Sequence, residues 1–233
     1  MQVISVNAGR AVPVAYTDAA SGMTGIGKRP VPGPVRIVAP GPDGASGVDG
    51  DDICDLRFHG GDDRAAYAFA REDLDAWERE LGRPLGNGSF GENLTTRGYD
   101  VNAALIGERW RIGSGLVVEV TGGRIPCRTF ADWLGEKGWV RRFTHAARTG
   151  AFLRVVEPGQ VSPGDAIDVV HRPGHAVTVS LLFRAVTVDR ALLPLTLPAV
   201  DWMESGFRET VLSYLEKYDA PGQVPAGPTG PSG

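Results

Sequence analysis

The sequence predicts a mixed α+β fold, mainly β: a small barrel of short strands with two inserted helices, followed by a small helical unit. Three observations predict it. Gly (32) and Pro (17) make up about a fifth of the 233 residues, which favours many tight turns over long helices. Most apolar runs are short and several alternate with polar residues, the period of a half-buried strand. Only a few stretches carry apolar residues at three- and four-residue steps.

Val3-Ile4-Ser5-Val6-Asn7 reads as an opening strand. Residues 21–52 are dense in Gly and Pro and read as a long loop holding one short strand, Val35-Arg36-Ile37-Val38. Tyr67, Ala70, Leu74, Trp77 and Leu81 follow helical spacing, with Asp62 and Asp63 as caps and Gly82 as the stop, so a helix is expected from about residue 62 to 81. Trp110 and Ile112, then Leu116, Val118 and Val120, alternate with polar residues across Gly113-Ser114-Gly115, a hairpin pattern. A second helix is expected from Thr129, burying Phe130, Trp133, Leu134 and Phe143, with Gly135 and Gly138 each weakening it by about 1 kcal/mol. Residues 151–156 and 166–170 read as strands around the turn-forming Pro158-Gly159 and Pro163-Gly164-Asp165. Beyond them Phe207, Val211, Leu215 and Tyr218 form a helical stripe, while Val177 to Phe183 fits a helix or a strand equally. The division expected is a barrel domain over 1–172, a small three-helix domain over 173–219 and a flexible tail over 220–233, which lacks the apolar residues to offset its ordering entropy.

A net charge of −4 gives no general field for nucleic acid or an anionic membrane, so any anionic ligand needs a local basic cluster. Two cysteines, Cys54 and Cys127, are too few for a secreted disulfide scaffold. With no apolar leader at the N-terminus and no run of about 18 apolar residues, a cytoplasmic protein with free thiols and no membrane span is expected.

Chemistry concentrates in three loops. Gly122-Gly-Arg-Ile-Pro-Cys-Arg-Thr-Phe130 sets Cys127 between Arg124 and Arg128 just ahead of a helix, surroundings that favour the thiolate. On this pattern alone the commoner role, a small buried core residue, stands ahead. Cys54, among Asp51, Asp52 and Asp55, reads as structural. A Cys₂His zinc set of Cys54, His59 and Cys127 is a lesser alternative that requires three remote loops to converge. His59-Gly60-Gly61 follows the strand-like Leu56-Arg57-Phe58, and its glycines and Arg64 suit close approach to an anion. A tight turn with a backbone-bonded histidine accounts for it as well. In Phe90-Gly-Glu-Asn-Leu94, Asn93 offers a donor and an acceptor to a heterocycle. The pairs Lys28-Arg29 and Arg141-Arg142 read as anion contacts or, more commonly, solvated surface.

Six segments in register carry a resemblance: Gly47-Val-Asp-Gly-Asp51, Arg57-Phe-His-Gly-Gly61 with Arg64-Ala-Ala-Tyr67, Phe90-Gly-Glu-Asn-Leu-Thr-Thr96, Ile106-Gly-Glu-Arg-Trp110, Arg124-Ile-Pro-Cys-Arg128 and Gly150-Ala-Phe-Leu-Arg-Val-Val-Glu-Pro-Gly159. Together they resemble the MOSC family, named for the C-terminal domain of molybdenum cofactor sulfurase, in its bacterial YiiM-like branch with a C-terminal three-helix domain. The resemblance implies a MOSC-type β-barrel that binds the molybdenum cofactor (molybdopterin), with Cys127 as the catalytic cysteine and molybdenum ligand. It implies His59, Gly60, Gly61, Arg64, Asn93, Arg124 and Arg128 as cofactor-binding residues. Pyridoxal phosphate binding is a family-level association. The implied activity is reduction of N-hydroxylated compounds, such as hydroxylamino-purines, to amines with electrons from a flavin-dependent reductase. The alternatives are a carrier that passes cofactor or sulfur on as a Cys127 persulfide and a barrel that serves only in interactions. Two departures stand out: Gly122-Gly123 where relatives often have proline, which would loosen the cysteine loop, and Ile53 where a polar glutamine is common.

Overall fold

Residues 1–41, 44, 46–56 and 59–218 are described in the computed structural model of this chain. The tail over 220–233 and the Arg57-Phe58 part of the expected strand lie outside the described residues. The strands are β1 (Gln2–Ala8), β2 (Val12–Pro13), β3 (Met23–Thr24), β4 (Arg29–Pro30), β5 (Val35–Ile37), β6 (Ala66–Ala70), β7 (Leu94–Arg97), β8 (Arg109–Ile112), β9 (Leu116–Gly122), β10 (Ala151–Glu157), β11 (Gly159–Val161) and β12 (Ile167–His171). The helices are α1 (Arg71–Leu81), α2 (Arg128–Leu134), α3 (Trp139–Ala146), α4 (Val179–Thr187), α5 (Leu193–Thr196) and α6 (Ser205–Tyr218), with short 3₁₀ turns between some of them.

Eight strands form one sheet in the order β12-β8-β9-β10-β6-β7-β1-β4. Every pairing in it is antiparallel except β6 with β7. The sheet curls into a half-barrel. The chain entering β12 bonds to the start of β1, with Val3 N donating to Asp165 O at 2.9 Å and Ile167 N to Met1 O at 2.9 Å. A bulge between Val3 and Ser5 changes the parity of β1, so that Val3 and Val6 both reach the core. The predicted hairpin is present: Ile112 pairs with Leu116 and Gly113 takes a left-handed φ of 58°.

Residues 62–81 do not form one helix. Asp62–Arg64 make a single 3₁₀ turn, Ala66–Ala70 are strand β6, and only Arg71–Leu81 are helical, stopped by Gly82 as predicted. The physical reason is that every residue of β6 is buried, so the run Ala-Tyr-Ala-Phe-Ala carries no polar parity to mark it as a strand. The second expected helix is two. Gly135 and Gly138 both adopt left-handed φ, ending α2 and starting α3 rather than merely weakening one helix. Phe130, Leu134 and Phe143 are buried as expected, but Trp133 is 37% exposed, its indole N–H donating to Ser89 O at 2.9 Å.

The ambiguous segment near Val177 is helical because Thr178 caps it, its hydroxyl accepting from Leu181 N at 3.1 Å. Val179 and Leu182 of α4 and Phe207 and Val211 of α6 belong to the same buried cluster as Val118, Val120 and Leu153 of the sheet, so helices and sheet share a core. A second, aromatic cluster centres on Phe90, whose ring lies 5.0 Å from that of Phe69, 5.2 Å from Phe130 and 5.4 Å from Trp139. Among the described residues no helix is long and apolar enough to cross a membrane.

Candidate functional site

Beside the aromatic cluster lie two hollows that share part of their lining. The inner, about 120 Å³, is lined among others by Lys28, Ile53, Cys54, Tyr67, Gly91 and Asn93. The outer, about 870 Å³, is walled by the Gly60–Arg64 turn, by Gly123–Cys127 and by the start of α6. His59, Gly60, Arg64, Arg124, Cys127 and Phe152 line both. Cys127 thus sits where the hollows meet, half-buried, as the residue preceding α2.

Arg124 is the built cation of this site. It is 9% exposed, and Nη1 donates to Phe90 O at 2.7 Å. Its guanidinium carbon stands 4.5 Å from the centre of the Phe130 ring and 5.5 Å from that of Tyr67, contacts that favour the cation. Among the described residues Nε has no hydrogen-bond partner and no carboxylate pairs with this arginine. A buried, uncompensated guanidinium lining a cavity is suited to an anionic ligand.

His59 is held neutral. Burial first, and then the positive charges of Arg124 and Arg64, push its pKa down to about 4. Gly60 and Gly61 have φ of 81° and 83°, and a Cβ on Gly60 would lie 2.2 Å from Gly44 O, so this turn requires glycine there. Arg64 reaches Glu204 at 2.6 Å and lies 5.2 Å over the Phe152 ring. Gly91 brings the chain close enough to Arg124 that a Cβ there would stand 2.9 Å from Nη1.

Asn93 is spent inside the protein. Oδ1 accepts from Tyr67 N at 3.1 Å, and Nδ2 donates to Asp51 at 3.0 Å and to Asn7 O at 3.3 Å. Its amide therefore joins β6, β1 and the Asp51 loop rather than offering itself whole to a heterocycle. Arg128 is not brought to either hollow: it is exposed and meets Asp18 at 3.0 Å and Asp132 at 3.8 Å, because the first residue of α2 turns its side chain to solvent. Of the two guanidinium groups expected around Cys127, the structure brings one to the cavity. Cys54 lines the inner hollow, where burial and then the charge of Asp52 raise its thiol pKa. Cys54, His59 and Cys127 share this cavity, yet among the described residues no three His, Cys, Asp or Glu side chains converge as a metal-holding group.

Lys28, which the sequence offers with Arg29 as an anion contact or, more commonly, solvated surface, is neither. Its ammonium is buried in the inner hollow and bonded to Asp51. Burial lowers its pKa and Asp51 opposes that shift. Asp51 in turn accepts from Gly9 N at 2.9 Å, Ser46 Oγ at 2.8 Å and Asn93. The only local signal was the run of glycines around Lys28: Gly25 packs so closely on Asp52 that a Cβ would meet its carbonyl at 2.1 Å.

Gly122 and Gly123, read as a loosening of the cysteine loop, are instead a packing requirement. A Cβ on Gly122 would stand 2.6 Å from the Phe207 ring, and one on Gly123 2.3 Å from Thr149 Oγ1. The strand leading to Cys127 carries no side chains there because α4 and α6 press against it.

The family profile for the MOSC domain matches residues 55–168. Along the sequence, the chain is similar to the uncharacterized protein YflK of Bacillus subtilis (strain 168), 35% identical over 182 residues that cover 78% of this chain and 79% of YflK. It is 28% identical over 156 residues, 64% of its length, to a protein of Gibberella moniliformis named Reductase, of which it spans only 28%. In three dimensions it is similar to YiiM from Geobacillus stearothermophilus, with a TM-score of 0.74 at 24% identity, covering 92% of this chain and 98% of that one.

Proposed function

Because this chain belongs to the MOSC domain family, we propose that it binds the molybdenum cofactor in this cleft and reduces N-hydroxylated compounds to amines, taking electrons from a flavin-dependent reductase. One observation carries this function: the Cys127 sulfur and the uncompensated Arg124 guanidinium line the same two hollows. The outer hollow, about 870 Å³, falls within the roughly 300–1,000 Å³ of small-molecule and cofactor sites. The name of the Gibberella relative points to the same class of chemistry.

Each residue has a part that its surroundings suit. Cys127 would hold the metal through a soft sulfur ligand. Arg124 would bind the anionic end of the cofactor by charge-assisted hydrogen bonds, using Nε, which has no partner among the described residues. His59, neutral, is a hydrogen-bonding partner and adds no charge to an already basic pocket. Gly60 and Gly61 let backbone approach the ligand. Asn93 and Asp51 act one layer back, fixing the strands around the inner hollow. Arg64 holds the helical wall through Glu204.

When bound, the cofactor supplies a two-electron centre for removing oxygen from nitrogen. Reduction of R–NHOH consumes two electrons and two protons, breaks the N–O bond and releases R–NH₂ and water. The electrons come from the partner reductase. Protein produced in a host that makes molybdenum cofactor is expected to reduce hydroxylamines with an artificial electron donor, and Cys127→Ala is expected to abolish this. A Cys127 persulfide that transfers to an acceptor protein, without turnover, would replace the reductase with a sulfur carrier. Absence of both pterin and persulfide would overturn both.

A further inference from the structure

The charges lining the outer hollow are unevenly compensated. Six carboxylates face it against two guanidinium groups, those of Arg64 and Arg124. Three are matched by arginines: Asp18 by Arg128 at 3.0 Å, Asp63 by Arg154 at 2.5 Å and Glu204 by Arg64 at 2.6 Å. Asp55 is also engaged within the protein. Asp62 and Glu209 are different. Both are exposed, and neither has an ion pair among the described residues, Asp62 accepting one backbone hydrogen bond from Gly41 N at 3.1 Å. Asp62 follows Gly60-Gly61 on the barrel side, and Glu209 lies in the first half of α6 on the helical side.

The opposite sign lies deeper. Arg124, nine-tenths buried and with Nε unpartnered, lines both hollows, whereas Asp62 and Glu209 line only the outer one. Two apolar side chains, Leu56 at 55% and Ile125 at 47% exposure, line the same outer hollow. Exposed aliphatic groups in a cleft favour a flat apolar body, which buries them on binding.

We propose that Asp62 and Glu209 make the cleft selective for cationic, planar N-hydroxylated substrates over anionic ones. This rests on the reductase function proposed above, in which cofactor and substrate share the cleft: the cofactor takes up Arg124 and Cys127 where the two hollows meet, and the substrate enters the outer hollow past Asp62 and Glu209. A substrate with a fixed positive group is attracted by the two carboxylates that no cation among the described residues neutralises, while its ring lies against Leu56 and Ile125. A substrate bearing a carboxylate meets like charge at the entrance, with no free guanidinium to offset it.

Two matched N-phenylhydroxylamines test this, one carrying a trimethylammoniomethyl group and the other a carboxymethyl group in the para position. With cofactor-loaded protein and one artificial donor, kcat/KM is expected to favour the cation by about tenfold at low salt, with the preference shrinking as salt is raised. In Asp62→Asn/Glu209→Gln the ratio is expected to fall to within about twofold. Isothermal titration calorimetry of the two corresponding anilines reads the same preference without turnover. Equal kcat/KM for both hydroxylamines, or a preference that survives in the double variant, would overturn the selectivity. Failure to reduce either hydroxylamine while the wild-type protein still prefers the cationic aniline would overturn the reductase function and leave the charge selection standing.

Discussion

Arg64 Nη2 and Glu204 Oε2 meet at 2.6 Å although 140 residues separate them, and this pair joins the barrel side of the cleft to its helical wall. Glu204 has a second task. Its carboxylate accepts from Gly206 N at 3.1 Å and Phe207 N at 3.0 Å, capping α6. Losing both roles in Glu204→Ala is expected to cost about 2–4 kcal/mol. Glu204→Gln, which keeps an acceptor for the cap, is expected to lose clearly less. Urea denaturation of the two variants checks the order.

Gly122 and Gly123 give a steric prediction. Gly122→Ala drives a methyl into the Phe207 ring and Gly123→Ala drives one into Thr149, so each is expected to destabilise by about 1–3 kcal/mol. Thermal unfolding measures the loss. Combining Gly122→Ala with Phe207→Leu should recover part of it, which separates a clash at this site from a general loosening of the loop.

Lys28 and Asp51 should respond asymmetrically to removal of one partner. Without Lys28, the Asp51 carboxylate keeps Gly9 N, Ser46 Oγ and Asn93 as donors; without Asp51, Lys28 is left buried with no counter-charge in contact. Asp51→Ala is therefore expected to cost about 3–5 kcal/mol and Lys28→Met distinctly less. Chemical denaturation of both at neutral pH tests the ranking.

His59 makes the fold acid-sensitive. Its folded pKa of about 4 lies below the ordinary 6.5, so on acidification the unfolded chain takes up a proton that the folded chain resists. Its contribution to stability is intact above pH 6.5 and is lost as pH falls from about 6.5 to 4, by about 3 kcal/mol in total. His59→Gln has no such group, and its stability should decline less steeply across that window. Denaturation curves at half-unit pH steps read the difference, and parallel curves would contradict it.

Local pattern carried much of the fold and less of the site. The β8–β9 hairpin is legible because Trp110, Ile112, Leu116 and Val118 alternate around a glycine turn. Strand β6 is not, because burial on both faces removes the alternation that would distinguish it from the helix it adjoins. Cys127 and Arg124 stand out through sequence proximity, but the same proximity does not tell Arg124, which lines the cavity, from Arg128, whose exposed side chain pairs with Asp18 and Asp132. Lys28 depends on contacts with Asp51, 23 residues away, and Glu204 on Arg64, 140 residues away. No local spacing encodes either pair, since tertiary packing alone turns an ordinary surface residue type into a buried one.

Whether the Cys127 sulfur is a molybdenum ligand is read by X-ray absorption at the molybdenum edge. Protein purified from a host that synthesises the cofactor is predicted to show a molybdenum–sulfur shell from the protein, which Cys127→Ala loses while its circular dichroism stays unchanged. A metal-loaded protein whose sulfur shell is identical in Cys127→Ala would contradict it.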